Sequence, residues 1–72
     1  MEDMRLICHL KQHRARLDLT QEALAKKVGV RRQTIIAIEK GRYAPSTLLA
    51  FQVAGVLGMK VDDLFELSEE EV

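Results

Sequence analysis

Apolar residues recur along most of this chain at the spacing of short amphipathic helices. From Gln21 to Val28, Leu24, Ala25 and Val28 form one stripe, while Glu22, Lys26 and Lys27 fall on the opposite face. Thr20 precedes the stripe as an N-cap, since its hydroxyl can accept a hydrogen bond from an amide of the first turn. Gly29 follows it, where a left-handed residue ends a helix and reverses the chain. A second run, Arg31 to Lys40, puts Ile35 and Ile38 on a shared face with Glu39 beside them, and Gly41 supplies its stop. Its other face carries Arg32, Gln33, Ile36, Ala37 and Lys40. Ala25 lies mid-helix in the first run, where a small side chain permits a close crossing.

Three further helices are predicted. One runs from about Asp3, a good N-cap, to Arg16, burying Leu6, Ile7 and Leu10 and ending in a short turn at Asp18. Another begins at Ser46, which caps it after Pro45, and runs to Leu57 with Gly58 as its stop. Leu49, Val53, Ala54 and Leu57 form its buried stripe, with Phe51 partly enclosed. The last, about Val61 to Glu66, buries Val61, Leu64 and Phe65, and Asp62 and Asp63 favour its N-terminal dipole. The expected architecture is all-α: a compact five-helix domain over residues 1–67, followed by a short, frayed acidic tail from Ser68 to Val72. No internal repeat or low-complexity linker interrupts it.

Two short helices joined by one glycine outline a helix-turn-helix, whose second helix enters the major groove with its N-terminal residues against base edges. The residue types suit that task. Arg makes bidentate contact with guanine, Gln with adenine, and apolar side chains meet the thymine methyl. Gln21, at the start of the first of these helices, is placed to meet a phosphate through the helix dipole and unpaired amides.

From these residues outward the chain resembles the lambda-repressor-like (Cro/XRE-type) helix-turn-helix regulators, in particular small stand-alone prokaryotic members. The matching positions begin with Leu19-Thr20-Gln21-Glu22-Ala23-Leu24-Ala25, Val28-Gly29-Val30 and Arg32-Gln33-Thr34-Ile35. They continue through Ile38-Glu39-Lys40-Gly41, Tyr43, Pro45-Ser46, Leu49-Ala50-Phe51 and Leu57-Gly58 to Asp62-Asp63-Leu64-Phe65. The resemblance covers roughly residues 5–67 and implies a five-helix domain that binds duplex DNA, usually as a two-fold dimer on a palindromic operator. Carried over position by position, it implies base reading by Arg31, Arg32, Gln33 and Ala37, with Ile36 nearby. It implies backbone contacts from Gln21, Thr34, Lys40, Arg42 and Tyr43. It also implies that Arg14 pairs with Glu39, clamping the first helix onto the recognition helix.

Two positions depart from the family pattern. Arg31 stands where relatives often have a Ser or Thr cap, so either the cap is lost, at about 1 kcal/mol, or Arg31 is recruited to DNA. Ile36 stands where a polar residue is usual. It is a thymine-methyl contact, an apolar contact to a protein partner, or a single scattered exposed side chain.

Charge changes the picture once it is divided along the chain. The whole is neutral, with 11 basic and 11 acidic residues, but residues 61–72 hold six acids and no base, leaving +6 on residues 1–60. A basic body attracts phosphate. Composition excludes other classes. At 72 residues the core is too small to enclose a large active-site cleft. Few aromatics argue against a stacking platform for single strands. The longest apolar run, Val53 to Met59, is far short of a membrane span. No leader-like segment is evident, so a cytoplasmic protein is expected. Cys8 is the lone cysteine, in keeping with a reducing compartment. With His9 and His13 it does not complete a four-ligand metal site, and no cofactor is expected. No glycine-rich phosphate loop, paired carboxylates or activated nucleophile points to an enzyme.

Leu48, Gln52, Gly55 and Met59 fall on one face of the fourth helix, and Leu67 can extend the same surface. A mid-helix glycine costs about 1 kcal/mol relative to alanine, which close approach by another helix would offset. This face is therefore the expected homodimer interface, and a dimer reads two half-sites about 34 Å apart. Two functions remain. One is a sequence-specific regulator of transcription, a dimeric repressor. The other is a protein-interaction module, an antitoxin or anti-regulator, motivated by Ile36 and the Leu48/Gly55 face.

Overall fold

Five helices and one two-stranded sheet make up residues 4–69, the part of the chain that the computed structural model describes. In chain order these are β1 (Met4–Cys8), α1 (Leu10–Arg16), α2 (Gln21–Val28), α3 (Arg32–Glu39), α4 (Thr47–Leu57), α5 (Val61–Leu64) and β2 (Phe65–Glu69). The fold is mostly helical, as expected, with an added terminal hairpin.

Local chemistry accounts for the central helices. Thr20 accepts a hydrogen bond from the Ala23 amide at 2.9 Å, and Ser46 accepts one from the Leu49 amide at 3.1 Å. Each satisfies an amide that the first helical turn leaves unpaired. Gly29 has φ +74° and passes its amide back to Lys26, while the Val30 amide bonds Ala25 at 3.0 Å. This left-handed residue reverses the chain so that α3 packs against α2, and Ala25 of α2 is 2 % exposed. Leu10, Leu24, Ile35, Ile38, Val53 and Leu64 are the largest fully buried side chains, so α1 through α5 all contribute to one core.

The ends of the domain depart from the expected pattern. The first helix was placed over Asp3 to Arg16, but Met4–Cys8 is a strand and the helix starts only at Leu10. Asp3, its expected cap, lies outside the described residues. β1 pairs antiparallel with β2, placing Leu6 opposite Leu67 and Cys8 opposite Phe65. Strand alternation sends adjacent residues to opposite faces, so Leu6 and Ile7 cannot both be buried. Leu6 packs against the core, and Ile7 is 36 % exposed. The last helix is likewise shorter than Val61 to Glu66. It ends at Leu64, because Phe65 is extended at φ −123°, ψ 147° and starts β2. Val61 is half-buried against the core rather than fully enclosed. β2 also includes Ser68 and Glu69, expected in a frayed tail, and the rest of that tail lies outside the described residues. Phe51, expected to be partly enclosed, is 63 % exposed.

Two glycines make opposite predictions. A Cβ built on Gly55 meets nothing within 4 Å, whereas Gly29 holds a positive φ that alanine resists. Gly55→Ala should therefore raise the unfolding free energy by about 0.5–1 kcal/mol. Gly29→Ala should lower it by about 1 kcal/mol or more. Urea unfolding of dilute protein measures both, and shifts of the same sign would contradict this account.

Candidate nucleic-acid interface

The carboxylate of Glu39, at the end of α3, is gripped from two other helices. Arg14 of α1 donates from Nε to Oε2 at 2.7 Å and from Nη2 to Oε1 at 3.3 Å. Arg14 Nη1 also donates to the Leu19 carbonyl at 2.8 Å, which ties down the turn entering α2. Gln21, the first residue of α2, donates from Nε2 to Glu39 Oε1 at 3.1 Å. Both charged side chains are nearly covered, at 14 % exposure for Arg14 and 7 % for Glu39. A fork-shaped guanidinium on a carboxylate fixes orientation as well as distance. The cluster thus sets how α1, α2 and α3 meet.

Held in this way, α3 buries Ile35 and Ile38 and turns its first residues outward. Arg31 occupies the N-cap position in extended conformation, with no side-chain cap. Arg31, Arg32 and Gln33 are exposed, while Thr34, Ile36 and Ala37 are half-buried. Ile36 is therefore not a bare apolar side chain. Half of it is covered by the protein itself, which removes much of the need for an outside partner. Lys40 follows as the C-cap, Gly41 turns at φ +74°, and the Arg42 amide bonds the Ala37 carbonyl at 2.9 Å. Lys40, Arg42 and Tyr43 are exposed on that turn.

Gln21 differs from expectation in its immediate partner. It was placed toward a phosphate, but its side-chain amide is engaged with Glu39 and half-buried. Beside it, Arg14, Thr20, Gln21, Glu22 and Arg32 line an open cleft of about 380 Å³. Arg32 and the unpaired amides at the start of α2 make this cleft attractive to an anion, and Glu22 opposes that attraction.

The other singled-out residues lie apart from this edge. Leu48 and Leu67 are 69 % and 64 % exposed, Gln52 and Gly55 are exposed, and Met59 is half-buried. Phe51, Gly55 and Met59 line a shallow depression of about 410 Å³. Phe51 also lines a second with Leu6 and Phe65, and Leu67 shares a third with those two residues. Phe51 is thus the residue missed from the apolar face. The available signal was that α4 is apolar nearly all round, more than one buried stripe requires. His9 occupies the N-cap position of α1 without a side-chain cap and its ring meets Glu66 of β2, and His13 is half-buried on α1. Cys8 is half-buried in β1. Burial pushes its thiol up, the nearby Glu39 charge adds to this, and a hydrogen bond to the Leu10 backbone opposes it, so the reactive thiolate is disfavoured at neutral pH.

Comparison with known proteins converges on one family. A helix-turn-helix family model matches residues 10–64. An uncharacterized HTH-type transcriptional regulator of Methanocaldococcus jannaschii is 58 % identical over 62 residues, covering 86 % of this chain and 94 % of that protein. The HTH-type regulator YgzD of Bacillus subtilis is 51 % identical over 61 residues, 85 % of this chain and 92 % of its own length. Among solved structures, the transcriptional regulator VanUg superposes with a TM-score of 0.79 over 97 % of this chain and 93 % of its own; at 20 % identity it speaks to the fold alone. The clp gene regulator ClgR of Corynebacterium glutamicum gives a TM-score of 0.71 at 31 % identity over 75 % of this chain, which spans 57 % of ClgR's length.

The gripped carboxylate generates a stability prediction. Removing one member of a largely covered pair leaves the other charge poorly compensated, at a cost that approaches the about 3–5 kcal/mol of a fully buried pair. Arg14→Ala should therefore lower the urea midpoint by an amount equivalent to that loss, and it strands the Leu19 carbonyl as well. A shift within the range of an exposed pair, about 0–1 kcal/mol, would show that the cluster does not hold the helices together.

Proposed function

The chain belongs to the helix-turn-helix family of DNA-binding transcriptional regulators, and from that premise we propose that it is a homodimeric repressor acting on a palindromic operator. It is not an enzyme; its family works by binding DNA. Promoter occlusion by a cytoplasmic protein works through a tight, sequence-selective grip.

One observation carries the proposal: Arg31, Arg32 and Gln33 stand exposed at the start of a helix held by a largely covered ion pair. In the major groove, Arg31 and Arg32 would read guanine and Gln33 adenine, with Ala37 and the uncovered part of Ile36 against thymine methyls. Thr34, Lys40, Arg42 and Tyr43 would hold phosphates and set the register. Gln21 joins them if it bridges Glu39 to a phosphate, which its two N–H donors allow.

For the dimer, the apolar surface around Phe51 supplies the motive. Phe51, Gly55, Met59, Leu6 and Leu67 form neighbouring shallow depressions on one side of the molecule. Leu48 and Gln52 are exposed on the same helix, α4. The same surface is the remaining ground for the alternative function, a partner-binding antitoxin or anti-regulator. Half-burial of Ile36 weakens the other ground for it.

Selection of randomised duplex DNA by the purified protein tests the proposal. An enriched palindrome with half-sites about one helical turn, 34 Å, apart is the expected result; a pool without any enriched motif would favour the partner-binding alternative. On the selected operator, Arg32→Ala or Gln33→Ala should each cost about 1–3 kcal/mol and relax preference at one base position. Phe51→Glu should shift sedimentation toward monomer and weaken the full palindrome far more than a single half-site. Unchanged assembly would locate the dimer contact elsewhere.

A further inference from the structure

Glu22 is an acid placed beside the basic edge of the helix-turn-helix. It stands in the first turn of α2, and Arg32 is the first residue of α3. Both are exposed, and both line the cleft of about 380 Å³ beside Thr20. Arg14, the other cation lining that cleft, is committed to Glu39 and the Leu19 carbonyl. Neither Glu22 nor Arg32 has an ion pair or a side-chain hydrogen bond among the described residues. An acid and a base thus border one open space without being paired. A carboxylate in the first turn of α2 favours the helix dipole, and that effect concerns folding. Beside Arg32 the same charge has a second consequence.

We propose that Glu22 is a specificity-determining residue: it steers Arg32 away from phosphates and toward a base edge. The inference rests on the DNA-binding function above and adds a residue that reads no base itself. Arg32 has two ways to hold DNA. A phosphate offers charge and no sequence information, whereas guanine accepts two hydrogen bonds from a guanidinium in the major groove. If Arg32 holds a phosphate at this cleft, it brings that phosphate toward Glu22, and two neighbouring anions repel. Bound to guanine, Arg32 uses two of its five N–H donors and keeps others for the Glu22 carboxylate. A carboxylate on the guanidinium then fixes the plane of the fork. Repulsion between Glu22 and phosphates held by other residues is common to the operator and to any other duplex, so it cancels in the ratio of the two affinities. The part that acts through Arg32 does not cancel. Glu22 therefore weakens binding to every duplex, and weakens it most where Arg32 finds no guanine.

The test compares affinity for the selected operator with affinity for a mixed-sequence duplex of equal length, at one fixed salt concentration. The full chain is measured beside Glu22→Gln, Arg32→Ala and the double variant. Glu22→Gln should tighten mixed-sequence binding more than operator binding. The operator-to-random ratio should fall about two- to five-fold, the strength of one exposed charge interaction. In the Arg32→Ala background the same change should leave the ratio where it was, because the steering acts through Arg32. If Glu22→Gln leaves the ratio unchanged, or lowers it equally with and without Arg32, Glu22 does not steer that residue. Urea unfolding of Glu22→Gln records the loss of the favourable dipole contact, which bears on both duplexes alike and does not move the ratio. A wild-type chain that selects no operator has no specificity for Glu22 to determine, and the DNA-reading function falls first.

Discussion

Glu39 is the point on which the helix-turn-helix half of the molecule depends. Its carboxylate takes bonds from Arg14 of α1 and Gln21 of α2 while belonging to α3, and Arg14 reaches on to the Leu19 carbonyl. Three short helices of seven to eight residues have little intrinsic persistence in water. Their crossing angles must come from tertiary contacts. The apolar contacts of Leu24, Ile35 and Ile38 supply most of the cohesion but are indifferent to small rotations. A bidentate ion pair is not, and its desolvation makes alternative poses expensive. Relative to an apolar isostere the pair contributes little net stability. Its value lies in fixing where the first turn of α3 points.

That rigidity matters for the readout proposed above. A base-edge contact requires a side chain to arrive within hydrogen-bonding distance in the correct plane, and long side chains such as Arg32 and Gln33 amplify any tilt of the backbone beneath them. The missing side-chain cap at Arg31 is then intelligible: a residue that would have stabilised the helix start is replaced by one more cation on the edge facing outward. The cap is absent at that end of α3, while the Glu39 cluster at the other end fixes the orientation of the helix.

The hairpin closes the domain from the other side. β1 and β2 come from the two ends of the described chain, and the His9 amide bonds the Leu64 carbonyl at 2.9 Å where the strands enter the helical body. A two-stranded ribbon is marginal by itself. Leu6, Cys8 and Phe65 anchor it by packing against the core, while Leu67 remains outside. Phe51 and Leu67 therefore stand as neighbours of one apolar surface for a reason that neither α4 nor β2 shows separately.

Much of this was legible from residues alone, because the signals are local. Thr20 and Ser46 are caps, Gly29 and Gly58 are stops, and the stripes of α2, α3 and the buried side of α4 repeat within a few residues of themselves. The exposed Arg31-Arg32-Gln33 edge follows from the phase of Ile35 and Ile38. What lay beyond the sequence depends on partners far away along the chain. Met4–Cys8 has no periodicity that distinguishes the start of a helix from a strand, and its pairing with Phe65–Glu69 exists only after the helices have brought both ends together. The engagement of Gln21 with Glu39 and the exposure of Phe51 are of the same kind. Short-range hydrogen bonding and hydrophobic phase determined the helix-turn-helix; long-range strand pairing and burial decided what surrounds it.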